Sequence, residues 1–164
     1  MRTVATLSIL AAASMAFAAA APTRAAQLFI EGDMVRGAQR GAPGPACVLD
    51  NQFKHLEKVV WRVRVTDGAG KVLDDKGLKS VVVEMPDGQK VDAKYGPHPP
   101  PQAGPAVDYF WTAIWIIPAN YPNGSLTYKV TATDLDGKAQ TWEPFKTKST
   151  QLTVVEGAIE IKTQ

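Results

Sequence analysis

The side chains of this sequence that could bind a soft metal are its single cysteine, Cys47, and its two histidines, His55 and His98. Together with a methionine thioether, from Met34 or Met85, they form a ligand set that suits copper. None of them stands in the tight Cys-x-His or His-x-Met spacing with which one loop closes a metal site. A copper site built from Cys47, His98, His55 and Met34 is therefore an alternative hypothesis, set against a small buried thiol and a solvated His98.

A proline-rich stretch that leads into an aromatic cluster is the second candidate for function. Gly96 to Val107 contains five prolines and is followed directly by Asp-Tyr-Phe-Trp. Because proline lacks the N–H donor and fixes φ, we expect this stretch to be an exposed loop that does not pair within a sheet. Aromatic side chains concentrate binding energy at interfaces. We therefore predict a surface that docks a protein partner, formed by Pro97, His98, Tyr109, Phe110 and Trp111.

The strand predicted next, Tyr109–Ile117, is apolar on both sides. Trp111 and Trp115 alternate with Phe110 and Ile114, whereas a sandwich needs only one apolar face on each sheet. The second row must then be covered by another part of the chain or by another molecule. The N-terminal segment Leu28–Val35 is the candidate cover from this chain, and a protein or an apolar ligand is the alternative.

Motifs of enzymatic chemistry are missing from the sequence. It has no Gly-x-Ser-x-Gly, no phosphate-binding Gly-rich loop and no His-Glu-x-x-His. The paired carboxylates, Asp74-Asp75 and those between Asp134 and Asp136, stand in contexts typical of turns. We therefore predict that the protein is not an enzyme and has no cofactor, copper excepted in the alternative hypothesis.

The elements that must position these residues are all strand-like. Val59–Val65 and Leu126–Thr133 alternate apolar and polar residues, and Leu78–Met85 and Gln89–Tyr95 flank a Pro-Asp-Gly turn that predicts a hairpin. No stretch longer than one or two turns has helical periodicity. Roughly seven to nine short strands with turn signals between them predict an all-β fold, an antiparallel β-sandwich.

The N-terminus has the layout of a secretory signal peptide. A short basic start precedes an uncharged, Ala-rich run, which predicts a leader over residues 1–26 that is cleaved between 18 and 26, and a single domain over residues 27–164. We expect a periplasmic or secreted protein with no membrane insertion after cleavage. The leader holds two of the 18 basic residues and no acid, so 16 basic and 16 acidic residues remain (18 − 2 = 16). A neutral domain has no electrostatic reason to bind nucleic acid.

Several residues resemble immunoglobulin-like and fibronectin-type domains of exported bacterial proteins. Asn123–Ala132, reading NGSLTYKVTA, is similar to the penultimate strand of those sandwiches. The resemblance implies that Tyr128 is the tyrosine-corner residue, that Val130 replaces the second cysteine and that Trp61 is the sandwich tryptophan. Val63–Gly70 and Ile117–Gly124 extend the likeness. It implies an immunoglobulin-like β-sandwich, a fold whose members carry many functions.

These observations combine into one functional prediction. The sequence is expected to encode an exported, non-enzymatic binding or accessory module that docks a protein partner through its proline-rich loop and aromatic strand. Periplasmic copper handling through Cys47 and His98 is the alternative.

Overall fold

Alternating apolar and polar residues form eleven strands in residues 27–42, 44, 47–98 and 108–161, the part of the chain that the computed structural model describes. In chain order they are β1 (Phe29–Arg36), β2 (Gln52–His55), β3 (Lys58–Thr66), β4 (Leu78–Glu84), β5 (Lys90–Asp92), β6 (Lys94–His98), β7 (Asp108–Ile116), β8 (Gly124–Leu126), β9 (Lys129–Asp134), β10 (Ala139–Trp142) and β11 (Leu152–Ala158).

The strands form three sheets. The first has the order β1-β3-β7-β6, the second β10-β9-β4-β5, and a small third sheet β2-β11-β8. Neighbouring strands are antiparallel except β2 and β11, which are parallel. The described ranges contain no helix, so the predicted all-β sandwich is confirmed. Accordingly, none of their segments is a helix of the length and apolarity that crossing a membrane requires.

The first and second sheets enclose one hydrophobic core. Trp61 of β3 lies at its centre, 1% exposed, with ring centroids 6.3 Å from Trp115 of β7 and 5.5 Å from Tyr128, which precedes β9. The inward residues of β4 and β9, among them Val83 and Val130, are equally buried. The row of tryptophans predicted to face one side of β7 is therefore the core side.

Two predicted strands are each divided between sheets. Leu126–Thr133 splits into β8, which pairs with β11, and β9, which pairs with β4 and β10. Gln89–Tyr95 splits at Ala93 into β5 in the second sheet and β6 in the first. The hairpin of β4 and β5 is confirmed, but its return strand ends early because the chain crosses to the other sheet. Alternation reports which face is buried and cannot report which sheet a residue joins.

The expectation that Gly96–Val107 stays out of the sheets was wrong at its start. Gly96, Pro97 and His98 form the end of β6 and pair with Phe110, Tyr109 and Asp108. Proline is tolerated there because β6 is an edge strand, where a missing N–H breaks no central ladder. Residues 99–107 of the proline-rich stretch and the predicted leader over residues 1–26 lie outside the described residues.

Candidate functional site

The outward side of the first sheet carries exposed apolar residues on an internal strand. Ile114 and Ile116 of β7 are 55% and 48% exposed. Val60 lies beside Ile114 in the ladder and is 8% exposed, and Phe110 follows in the same row of β7 beyond Thr112. We call Val60, Phe110, Ile114 and Ile116 the outer patch.

Paired charges border the outer patch at Phe110. The guanidinium carbons of Arg62 and Arg64 lie 5.7 and 5.4 Å from the Phe110 ring centroid, within cation–π range. Arg62 Nε donates to Asp33 Oδ1 at 2.8 Å, and Arg64 pairs with Asp108. The hydrogen bond to Asp33 is the main reason that the pKa of Arg62 is raised. Each arginine is thus fixed over the ring by its own carboxylate.

The outward side of the second sheet is polar by comparison. Thr131 and Thr141 are hydrogen-bonded at 2.9 Å, and Lys129 lies 3.6 Å from a Glu143 carboxylate oxygen. In β9 the outward residues Lys129, Thr131 and Thr133 alternate with buried Val130 and Ala132. This is the ordinary pattern for a sheet with one face in water. The first sheet departs from it along β7.

The structure distributes the five predicted docking residues over both sides of β6 and β7. His98 lies edge-on to Phe110, with centroids 5.8 Å apart, at the margin of the outer patch. Tyr109 is 49% exposed, and its ring stacks on that of Tyr95 with centroids 5.9 Å apart. Pro97 of β6 is the residue paired with Tyr109 in the ladder.

Trp111 is buried and does not belong to an exposed docking surface. It is 5% exposed, and its indole N–H donates to the Leu73 carbonyl at 2.9 Å. A buried ring whose polar group is already bonded stabilises the core and cannot reach a partner.

The segment expected as the internal cover of this row does not cover it. Residues 29–36 of the N-terminal segment form β1, which pairs edge to edge with β3, and Leu28, Ile30 and Met34 point into the core. The segment after β1 approaches this side of the sheet instead: Gly37 lies against Val60, which is 8% exposed, and Lys58 Nζ donates to the Ala38 carbonyl at 2.6 Å. Ile114 and Ile116 stay 55% and 48% exposed beside it.

The predicted copper ligands are placed far from one another. The Cys47 N–H bonds to the Arg36 carbonyl, and Arg36 is aligned across the sheet, through Val59 of β3, with Trp115 of β7. His98, in contrast, pairs with Asp108 at the other end of β7. The seven residue-to-residue steps from Asp108 to Trp115 span about 24 Å at the usual strand rise. No group of three or more His, Cys, Asp or Glu side chains that could hold a metal occurs in the described ranges.

The other two predicted ligands have protein contacts of their own. Both ring nitrogens of His55 are within hydrogen-bond distance of backbone carbonyls, Nδ1 of Gly157 at 2.9 Å and Nε2 of Tyr121 at 2.8 Å. Met34 is 7% exposed within the core. The structure therefore brings none of the four ligands together.

Tyr128 lies in an aromatic cluster. Its ring packs against Trp61 and, at 6.3 Å, against Trp142. Burial raises the pKa of Tyr128 to about 12, although the nearby Trp61 indole opposes the shift. The Trp61 N–H itself makes no hydrogen bond of good geometry. Tyr128 and Trp61, the two residues that the resemblance singled out, are 2% and 1% exposed in the core.

Sequence reasoning missed a groove of about 460 Å³ beside β1 and β10. Leu49 and Phe145, which are 66% and 81% exposed, are among its lining residues. We call it the edge groove, and its other lining residues are Gly32, Asp33, Met34, Asp50, Asn51, Tyr128, Trp142, Pro144, Ser149 and Thr150. The sequence signals for it were weak: the short apolar run Cys47–Leu49, and the aromatic residues Trp142 and Phe145 on either side of Pro144.

A polar cluster holds the start of β3 against the end of β1. Arg36 bonds to Glu57 and, at 2.6 Å, to Asp50, while the Lys54 N–H donates to Glu57 at 2.9 Å. Glu57 is 4% exposed, so its charge depends on these partners. The cluster fixes the loop that carries Cys47 to Asp50 beside β1.

The fold and this site define a class, an all-β sandwich with a partly apolar outward face and an open groove at one edge. In comparisons with family models, curated proteins and solved structures, nothing matches this chain.

Proposed function

We propose that the protein is an exported, non-enzymatic binding module that docks a protein partner through the outer patch. The observation that carries the proposal is the exposure of Ile114 and Ile116, 55% and 48%, on an internal strand whose opposite side is core. Contiguous exposed apolar residues rimmed by polar groups are typical of interaction sites. The outward face of the second sheet, which is polar, shows that the exposed apolar residues are particular to the first sheet.

The charges around the outer patch favour a protein over a nucleic acid. Arg62 is paired with Asp33, and Arg64 with Asp108, so the positive charges are compensated locally. Nucleic acids bind to uncompensated lysines and arginines. Arginine beside an aromatic ring is, by contrast, a frequent hot spot of protein interfaces.

The described residues on either side of 99–107 lie next to this proposed surface. These two residues, His98 and Asp108, pair with each other, and His98 contacts Phe110. The residues that flank 99–107 therefore lie beside the patch. The proposed surface keeps His98 and Phe110, whereas Pro97 and Tyr109 lie on the opposite side of the sheet. Export to the periplasm or exterior rests on the leader pattern alone.

The non-enzymatic part of the proposal rests on the missing motifs and on the histidines. The two nitrogens of His55 face backbone carbonyls, and His98 lies against Phe110, so neither stands as a base beside a hydroxyl or thiol nucleophile. Copper handling, the alternative, gains no observation in its favour from the positions of Cys47 and His98.

Photo-cross-linking in the exporting cell tests the proposal. We expect benzoyl-phenylalanine at position 114 to form a covalent adduct with one partner, and the adduct to weaken when Ile116→Ser is added. The same probe at Lys129, exposed on the outward side of the second sheet, is the matched control. Equal adducts at both positions, or none at position 114, would contradict the proposal.

A further inference from the structure

The outer edge of β1 is covered along only half of its length. Cys47 to Asp50 runs beside the C-terminal half: the Arg36 N–H bonds to the Val48 carbonyl at 2.9 Å, and the Cys47 N–H to the Arg36 carbonyl at 2.7 Å. The Asp50 N–H reaches the Met34 carbonyl at 3.3 Å, and the segment then turns away into β2.

Alternation along β1 gives the direction of the uncovered groups. The Gly37 N–H bonds to the Lys58 carbonyl at 2.7 Å, so odd-numbered residues face β3 and even-numbered ones face outward. The N–H and C=O of Ile30 and Gly32 therefore point away from the sheet. In the described ranges they have no backbone partner. Unpaired groups of this kind are a template for another strand.

The edge groove lies directly beside this open edge. Gly32 lines it with backbone atoms only, and a Cβ at this position would lie 3.3 Å from the Arg62 carbonyl oxygen. Tyr128 and Met34, both buried, are also among the lining residues. A strand added at Gly32 would thus place an apolar side chain between aromatic walls.

Charge decides which strand fits. Glu31 and Asp33 flank Gly32; Asp33 is paired with Arg62, whereas no Glu31 ion pair occurs in the described ranges. A second copy of β1, antiparallel and centred on Gly32, would set Glu31 against the copy's Asp33 and so would give it no basic partner. A strand with lysine or arginine at these alternate positions is complementary.

We propose that the β1 edge binds, by strand addition, an extended segment of a partner protein. Its basic side chains alternate with apolar ones, and one apolar side chain fills the edge groove. The site is on the opposite edge of the first sheet from β6, so it does not depend on the outer patch.

The probe for this site is an acetylated, amidated peptide, Lys-Val-Lys-Phe-Lys-Val-Lys, added to the purified protein. We expect saturable binding and slower hydrogen exchange at the Ile30 and Gly32 amides in two-dimensional NMR spectra. A peptide with glutamate for lysine, and one with N-methylated backbone nitrogens, are expected to bind at least about tenfold more weakly, because they lose charge complementarity or the ladder.

Exposed residues provide variants that keep the fold. Phe145→Ser is expected to raise the Kd of the lysine peptide about tenfold, as loss of one aromatic contact does. Leu135→Ser, 65% exposed and outside the groove lining, is the matched control and leaves the Kd unchanged. Glu31→Lys is expected to weaken binding up to about fivefold at low salt, and Glu156→Lys, exposed on β11, is its control.

Three results would overturn the proposal. The peptide binds without slowing exchange at Ile30 and Gly32, or it does not bind at millimolar concentration. Alternatively, the two amides are already protected in the free protein, as a monomer by its own N-terminal residues or as a dimer by a second copy.

Discussion

Glu57 is a buried charged residue held by two neighbours. It is 4% exposed, and Arg36 and the Lys54 N–H are its partners. We expect Glu57→Gln to lower the free energy of unfolding by about 2 to 3 kcal/mol, because Arg36 keeps only Asp50 and a buried ion pair is broken. Urea denaturation measures this. Exposed Glu156→Gln is the control, expected within about 0.5 kcal/mol of the wild type, and equal losses for the two variants would contradict the assignment.

Asp50 predicts how stability depends on pH. Burial would raise the pKa of its carboxyl, but hydrogen bonds from the Gln52 N–H, the Arg36 guanidinium and the Asn51 N–H outweigh it, and the pKa is lowered. A lowered pKa contributes stability above the ordinary pKa of an aspartate, and the contribution disappears as pH falls through the folded value. Asp50→Asn should therefore cost about 1 kcal/mol at pH 7 and progressively less as the pH falls below the ordinary pKa of an aspartate. A cost that does not change with pH would contradict this.

Cys47 and His98 give a prediction about copper. Because about 24 Å of strand separates their levels, one ion cannot bind to both. We expect His98→Ala to leave the Cu(I) affinity of the purified protein unchanged, with or without Cys47→Ser. Competition titration with a Cu(I) chelator measures the affinity. A Cu(I) affinity that falls in the His98→Ala variant and no further when Cys47→Ser is added would restore the copper hypothesis.

At the scale of elements, β7 has one side buried in the core and one side exposed. Trp111 is core, whereas Ile114, on the other side, is 55% exposed. We expect Trp111→Ala to cost about 3 to 5 kcal/mol of unfolding free energy and Ile114→Ser less than about 0.5 kcal/mol. Urea denaturation of both variants measures the contrast. A large loss for Ile114→Ser would show that the outer patch is covered within the chain.

Individual strands could be predicted from the sequence where one face is buried. The alternation in Val59–Val65 and Tyr109–Ile117 placed β3 and β7 correctly, with Trp61 and Trp111 inward. The divisions at Ala93 and before β9 could not be predicted, because burial continues while the pairing partner changes. Pro97 was misplaced because its tolerance depends on an edge position that only the sheet order defines.

At the scale of the whole molecule, the two outward faces of the sandwich differ. The sequence correctly predicted a second apolar row of β7 on the side away from the core. That β1 is not the cover depends on long-range pairing with β3, which local pattern does not encode. The edge groove is assembled from β1, the loop at Leu49 and the segment after β10, and such a convergence has no local signal.

The most direct test of the central claim is the accessibility of position 114 inside and outside the cell. In a Cys47→Ser background, which removes the one native thiol, Ile114→Cys and Lys129→Cys are labelled with a maleimide in the purified protein and in intact exporting cells. We expect the cysteines at both positions to be labelled in the purified protein, and only the cysteine at position 114 to be protected in cells. Equal labelling of the two positions in cells would contradict it.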